Sequence, residues 1–495
     1  MTNAVSSDQR QELKDSVLLC EDLFIDGEWT PASDGARFDV FDPASGGLIA
    51  QVASGTLADV RRAIAAAKRA FPAWAALPAL QRASILRRWY ELIVEHVDEL
   101  AQILTAEQGK PLAEARGEIL YGAGFIEWYA EEGKRVYGET IPTNVSGRRL
   151  FALRQPVGVT AAITPWNFPM AMIARKVGPA LAAGCPMIVK PARETPLSAL
   201  ALAELGRLAG IPAGVFSVVC GDARLVGGEL TANPTVRALS FTGSTETGKL
   251  LMIQCAQTVK KVAMELGGNS PFIVFDDADL DLAVAGVMAS KFRNAGQTCV
   301  CANRLLVQAG VYDEFVDRLN TAVAGLKVGS GFNAESQQGP LISEDAVSKV
   351  ERHIQDAVAH GARVTVGGSR HELGGTFFQP TVLIDATPGM LVAREETFGP
   401  LAPVFKFETE QEAIAMANDT DSGLAAYYFT SDLGRTWRVG EALEYGVVGV
   451  NTGVISYEGA PFGGVKESGI GREGSMHGID EFVEIKYLCV DGIDR

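Results

Sequence analysis

The apolar positions change period once along the chain. Over residues 83–107, Ile85, Leu86, Trp89, Leu92, Ile93, Val97 and Leu100 recur at intervals of three and four, the spacing of one helix face. Farther on, short β-branched runs alternate with helical stretches. Strands are predicted at 157–163, 187–190, 215–219 and 236–241, and helices at 170–183 and 197–208, with another starting near Ser244. A second alternating region begins near Pro271, with strands expected at 272–275, 304–308, 364–367, 404–407, 425–430 and 447–451. This alternation predicts an α/β fold with a parallel sheet and crossover helices, and the break near 265–268 predicts a domain boundary.

Composition narrows the class. The 495 residues carry a balance of 47% hydrophobic and 21% charged residues, which suits packed domains and not a disordered chain. A net charge of −16 argues against nucleic acid as the main partner, since phosphate backbones are met by basic surfaces. The seven cysteines are scattered, which predicts a reducing compartment and no disulfide framework. The segment Met1 to Ser16 is polar, with Asp8, Glu12 and Asp15, and lacks an apolar leader core. Residues 155–174 lack charge over about a bilayer's thickness, but Pro156, Pro165 and Pro169 argue against a membrane helix. The expectation is a soluble cytoplasmic protein.

Parallel sheets bind ligands at the carboxyl ends of their strands. Trp166-Asn167, Lys190, Gly221 and Gly243-Ser244 fall at those ends. The run 243–250 has the glycine and lysine spacing of a P-loop, but Leu250 stands where a hydroxyl must bind magnesium. A strand, Gly-Ser and a helix N-terminus still suit a dinucleotide pyrophosphate, although no G-x-G-x-x-G follows a strand. Cys299 follows the glycine-containing turn 293–298, and either packs there or serves as a nucleophile, its thiol lowered by a nearby helix N-terminus. None of the five histidines lies in a comparable motif, so the carboxylates Glu265 and Glu396 are the better partners. Cys299 and Cys301 form the only close cysteine pair and no histidine cluster joins them, so no metal site is expected.

Taken together, Thr164-Pro165-Trp166-Asn167-Phe168-Pro169, Phe241-Thr242-Gly243-Ser244, Glu265-Leu266-Gly267-Gly268, Gly296-Gln297-Thr298-Cys299, Glu396-Thr397-Phe398-Gly399-Pro400 and the run 461–469 resemble the aldehyde dehydrogenase superfamily, in its order and over essentially the whole chain. The resemblance implies a Cys299 nucleophile, an oxyanion site from the Asn167 amide and the Cys299 N–H, and Glu265 as the base that activates water. It places Thr164, Pro165, Trp166, Lys190, Pro191, Ala192, Gly221, Gly243, Ser244, Leu266, Glu396 and Phe398 around NAD or NADP. Arg193 stands where many NAD-preferring members carry a glutamate. A guanidinium pairs with a 2′-phosphate that a carboxylate repels, so NADP is expected to be preferred; the alternative is an arginine stacked on adenine without discrimination.

The tail resemblance is to the succinate-semialdehyde dehydrogenase subgroup, on 291–294, 299–301 and the runs 469–475 and 484–487. It implies that Arg175, Arg293 and Ser456 hold the distal carboxylate of a small aldehyde; surface charge or a structural ion pair is the plainer reading of both arginines. Glutarate semialdehyde, one methylene longer, stays open, as does a cofactor-independent cysteine hydrolase or acyltransferase. Cys301 is either a redox partner of Cys299 or a packed small side chain. The fold that the resemblance implies has two doubly wound parallel-sheet domains, an NAD(P)-binding domain (1–138 and 155–266) and a catalytic domain (267–474), with a β oligomerisation element (139–154 and 475–495), assembled as a homodimer or homotetramer.

Overall fold

The computed structural model describes residues 16–493. The polar segment 1–15, read above as free of a leader, lies outside the described residues. The single helix expected over 83–107 is two, Ala79–Glu95 and Val97–Gln108, divided at His96. The His96 ring Nδ1 meets Glu99 Oε2 at 2.9 Å in the first turn of the second helix. The apolar stripe crosses the break intact, with Leu86, Trp89, Leu92, Ile93, Val97 and Leu100 all buried. One non-helical residue turns the axis without interrupting the face that packs.

The first sheet has eight strands. Five of them run parallel in the spatial order Phe216–Val218, Met187–Lys190, Val159–Ile163, Val236–Thr242, Lys261–Glu265. In chain order that is 3-2-1-4-5, so the winding reverses between Val159–Ile163 and Val236–Thr242. A crevice opens at such a reversal, beyond the carboxyl ends of the two strands. These strands read as continuous apolar runs because helices cover both faces. The helix Ala171–Ala183 is buried at every position, including Arg175 and Lys176. At the other edge of this sheet Gly469–Ile470 returns from the distal part of the chain to pair antiparallel with Met264 and Glu265.

The second sheet has seven strands, in the order Arg363–Val366, Thr381–Ala386, Leu401–Phe407, Ala302–Gln308, Ser270–Val274, Ala425–Phe429, Val447–Val450, parallel but for the first. Cys299 immediately precedes one of its strands and Glu396–Phe398 another. The carboxyl ends of the first sheet thus face the amino ends of two strands of the second. A third, three-stranded sheet joins Glu139–Ile141, Arg149–Pro156 and Val483–Val490. No helix among the described residues is long and apolar enough to cross a membrane. The uncharged stretch 155–174 is spent on strand ends, a loop and the first turn of a buried helix.

Candidate active site

At the winding reversal lies a cavity of about 350 Å³ lined by Pro165, Trp166 and Asn167 from one strand end and Thr242, Gly243 and Ser244 from the other. Leu266, Gly267, Cys299, Glu396, Thr397 and Phe398 complete the wall, with Asp345, Ala346 and Lys349, which the sequence motifs did not single out. Trp166 and Phe398 meet edge to face, ring centroids 5.6 Å apart. Ser244 caps the helix Thr245–Ala256, its Oγ accepting from the Thr247 N–H at 3.3 Å. That leaves a helix N-terminus at the cavity rim, where anions are favoured. Lys249, the P-loop-like lysine, pairs with Glu467 at 2.7 Å and does not line the cavity. Glu396 accepts from the Gly268 N–H at 3.2 Å, and burial pushes its carboxyl up to about 7.

Lys190, Pro191 and Ala192 are buried along the same edge of the sheet, at the end of the strand next to Val159–Ile163. The Thr164 N–H ties that edge together by donating to the Lys190 carbonyl at 3.1 Å. Gly221 follows the next strand. Arg193 is exposed, its guanidinium 5.1 Å from the Phe38 ring centroid, and it has no ion pair among the described residues. The residues fit a dinucleotide: a helix N-terminus for pyrophosphate, a carboxylate for a ribose diol, and a lysine and an arginine at the far end.

Cys299 is half-buried, in the turn before Ala302–Gln308. No helix begins there, so the expectation of a thiol lowered by a helix dipole is wrong. Burial pushes the thiol up to about 12, with Arg175 and Arg293 pulling the other way and Glu396 and Glu265 adding to the rise. The turn is tight because Asn294, Ala295 and Gly296 all have positive φ (51°, 53° and 74°). A side chain at Gly296 would strike the Gly399 carbonyl, and one at Gly268 would sit 2.6 Å from the Cys299 carbonyl oxygen. Asn167 lies across this turn, its Nδ2 donating to the Gln297 carbonyl at 3.0 Å. An amide nitrogen carries two hydrogens, so one remains. The Cys299 N–H has no protein acceptor among the described residues. Cys301 is buried, its Sγ 3.5 Å from the Lys291 carbonyl, packed in this conformation.

Glu265 ends its strand with Oε2 buried and without a protein partner. Burial, reinforced by the Glu473 carboxylate, raises its carboxyl well above the usual range. Glu473 is held low against its own burial by Arg175 and Lys176, which both pair with it inside the protein. The ion-pair reading of Arg175 is therefore part of the answer. Its Nε is committed to Glu473 and its guanidinium lies 4.1 Å from the Phe462 ring centroid, yet Nη2 has no protein partner. Arg293 likewise keeps a buried, unpartnered Nε, with its guanidinium 5.4 Å from the Phe168 ring centroid. Tyr121 adds a group the motifs missed: it hydrogen-bonds Ser456 and feels both Arg175 and Arg293. It belongs to the helix Leu112–Glu132.

Buried polar atoms are nearly always paired, so an orphan calls for an explanation. Orphans on Thr164, Asn167, Glu265, Arg293 and Thr298 belong to residues of these motifs, and Arg175, implied for the substrate, carries another. Arg175, Arg293, Ser456 and Glu265 do not line the cofactor-side cavity; Cys299 and Asn167 do.

Residues 29–488 match the family model described as "Aldehyde dehydrogenase family". The chain is 62% identical over 479 residues to the NADP(+) succinate-semialdehyde dehydrogenase GabD of Escherichia coli, covering 97% of this chain and 99% of the relative. It is 61% identical over 482 residues to a glutarate-semialdehyde dehydrogenase of Pseudomonas aeruginosa, covering 97% of this chain and 100% of the relative. Among solved structures, a succinate-semialdehyde dehydrogenase from Burkholderia pseudomallei superposes with a TM-score of 0.96 at 60% identity, over 97% of this chain and 99% of that one. Sheet order, motif geometry and sequence agree over the same residues, and the chain belongs to the aldehyde dehydrogenase family.

Proposed function

We propose that this protein oxidises succinate semialdehyde to succinate, with NADP preferred over NAD, through a thiohemiacetal and then a thioester on Cys299. The observation that carries this reading is the convergence beside the Cys299 thiol of two guanidiniums, Arg175 and Arg293, each with a buried N–H that no protein group accepts. Two such donors with the hydroxyls of Ser456 and Tyr121 match a carboxylate at the far end of a short aldehyde.

Cys299 gives its thiol proton to solvent, and Sγ forms a bond to the aldehyde carbon as the carbonyl π pair moves onto the oxygen. The free Asn167 Nδ2–H and the Cys299 N–H receive the oxygen's developing charge; losing one such donor typically costs about 2.7–4 kcal/mol of barrier. The nicotinamide supplies the hydride acceptor when bound, with Glu396 on its ribose and Phe398 beside its ring. Glu265 then takes a proton from water, whose oxygen attacks the thioester carbon; the C–S bond breaks, the acid leaves, and the proton on Glu265 returns to the Cys299 sulfur. Buried Glu265 suits this task, because a carboxyl raised toward neutrality is a stronger base. At the other end Lys190 and Arg193 hold the adenosine ribose and its 2′-phosphate. The chain is assigned as an NAD(P)-binding part (1–138 and 155–266), a catalytic part (267–474) and an oligomerisation part (139–154 and 475–495), in a cytoplasmic homodimer or homotetramer.

Glutarate semialdehyde is the second reading, favoured by the 61% identity to the Pseudomonas aeruginosa relative. One methylene is worth only about 1–3 kcal/mol of discrimination. Initial rates of nicotinamide reduction with succinate semialdehyde, glutarate semialdehyde and an uncharged aldehyde of similar length test both. The expected order is succinate, glutarate, uncharged, with Arg293→Ala erasing the advantage of the charged substrates. Equal loss on all three would remove the carboxylate role of Arg293. Product formed without cofactor would instead favour a cysteine hydrolase.

A further inference from the structure

The segment between the helices Val97–Gln108 and Leu112–Glu132, with the first turns of the second, reaches the Asn167 and Cys299 loops without lining the cavity at the winding reversal. Its Lys110 is 2% exposed, and its ammonium pairs with buried Glu118 at 2.6 Å. The same Nζ donates to the Asn167 main-chain carbonyl at 2.8 Å and lies 3.9 Å from the Phe168 ring centroid. Glu118 uses its other oxygen to accept the Met170 N–H at 3.0 Å, just past the Asn167 loop. On the nucleophile side, Gln108 donates to Asn294 Oδ1 at 2.9 Å and Glu114 accepts the Asn294 N–H at 2.9 Å. Asn294 Nδ2 closes the circuit on the Asn167 carbonyl at 3.0 Å.

A fully buried ion pair is costly to desolvate and is a weak device for stability alone. This one is spent on the backbone around Asn167: the ammonium on the Asn167 carbonyl, the carboxylate on the Met170 and Ala171 N–H groups just beyond it. We propose that Lys110 is a positioning residue for catalysis: locked by Glu118, it fixes the Asn167 backbone so that the free Nδ2–H meets the oxygen of the thiohemiacetal. The inference rests on the oxyanion role proposed for Asn167. It makes Lys110 act on the barrier, through Asn167, and on neither cofactor nor aldehyde affinity. A small misplacement of a stabilising group costs up to about 100-fold in rate.

The test is a cycle between Lys110→Met combined with Glu118→Gln, which leaves no unpaired buried carboxylate, and Asn167→Ala. Steady-state kcat and KM, NADP binding and alkylation of Cys299 by iodoacetamide, located by peptide mass, are measured on each. The expected result is a 10- to 100-fold fall in kcat for the paired substitution, with KM, NADP binding and Cys299 alkylation unchanged. No further fall is expected when Asn167→Ala is added, because groups acting as a unit are not additive. Additive losses, or an unchanged kcat, would overturn the proposal, as would lost cofactor binding. An Asn167→Ala enzyme that keeps its kcat would overturn the oxyanion reading itself, and with it this one. Should the paired substitution not yield folded protein, Lys110→Gln combined with Glu118→Gln, which fills the same space and leaves no unpaired charge, enters the same cycle with the same expected signs.

Discussion

Burial pushes the Cys299 thiol up to about 12 and raises the Glu265 carboxyl well above its usual range. Each works in the deprotonated form, so turnover is expected to rise with pH through neutrality into the alkaline range. Glu265→Gln leaves the first half-reaction intact. The expected outcome in a stopped-flow trace is one nicotinamide reduced per Cys299, followed by a steady rate at least 100-fold lower, the usual scale of a lost general base. A lost burst would instead place Glu265 in the attack step. Glu396 titrates near 7 and would accept from a ribose diol as a carboxylate, so cofactor affinity is expected to tighten as pH rises through 7. In Glu396→Gln that dependence should vanish from a binding titration. Arg193 has no ion pair to break among the described residues, so Arg193→Glu reports on the cofactor alone. A charged hydrogen bond contributes about 1.5–3 kcal/mol, so kcat/KM for NADP should fall roughly 10- to 150-fold while that for NAD holds or improves.

At the scale of elements, the buried helix Ala171–Ala183 shows what periodicity reveals and what it conceals. The strands and helices of the first sheet were legible to within a few residues, because runs such as Met187–Lys190 are apolar on both faces and bounded by turn residues. The reversal between Val159–Ile163 and Val236–Thr242 was not legible, since local pattern carries no strand order. The cofactor-side motifs were visible because glycines and prolines at strand ends mark tight turns. Tyr121, Lys110 and Glu473 were not, because the groups that give them a role (Ser456, the Asn167 carbonyl, and Arg175 with Lys176) lie far away in the chain. The helix dipole expected at Cys299 failed for a related reason: a glycine-bearing turn does not tell whether a helix or a strand follows it. Arg175 and Lys176 meet Glu473 only in three dimensions, from 297 residues away for Lys176. Removing one partner from a buried pair costs about 3–5 kcal/mol, so Glu473→Gln should lower the melting temperature clearly. It should also lower the Glu265 carboxyl, because a like charge is gone while both cations stay. The pH–rate limb assigned to Glu265 is therefore expected to move to lower pH; a limb that stays put would separate Glu473 from the base.

For the whole molecule, the third sheet is the part that the site does not explain. Its outer strand Val483–Val490 pairs with Arg149–Pro156 through all eight residues, from Val483↔Pro156 to Val490↔Arg149. The strand then leaves Ile485, Tyr487 and Leu488 at 72%, 60% and 43% exposure. An open strand edge with apolar side chains invites pairing with another chain, and proteins that keep such an edge usually cover it. A second copy is the natural cover, since most soluble oligomers are symmetric assemblies of one chain. Ile485→Asp with Tyr487→Asp places charge on this face and touches no residue of the site. Light scattering on a sizing column is expected to show a smaller assembly for this variant than for the parent. The Cys299 turn and the Asn167 loop lie in the two larger sheets, so activity per folded chain should persist at concentrations where the small species stays folded. An unchanged mass would show that another surface joins the chains. A smaller species without activity would mean that the site depends on its neighbour, which ties assembly to catalysis through the 475–483 segment that leads from Glu473 into this strand.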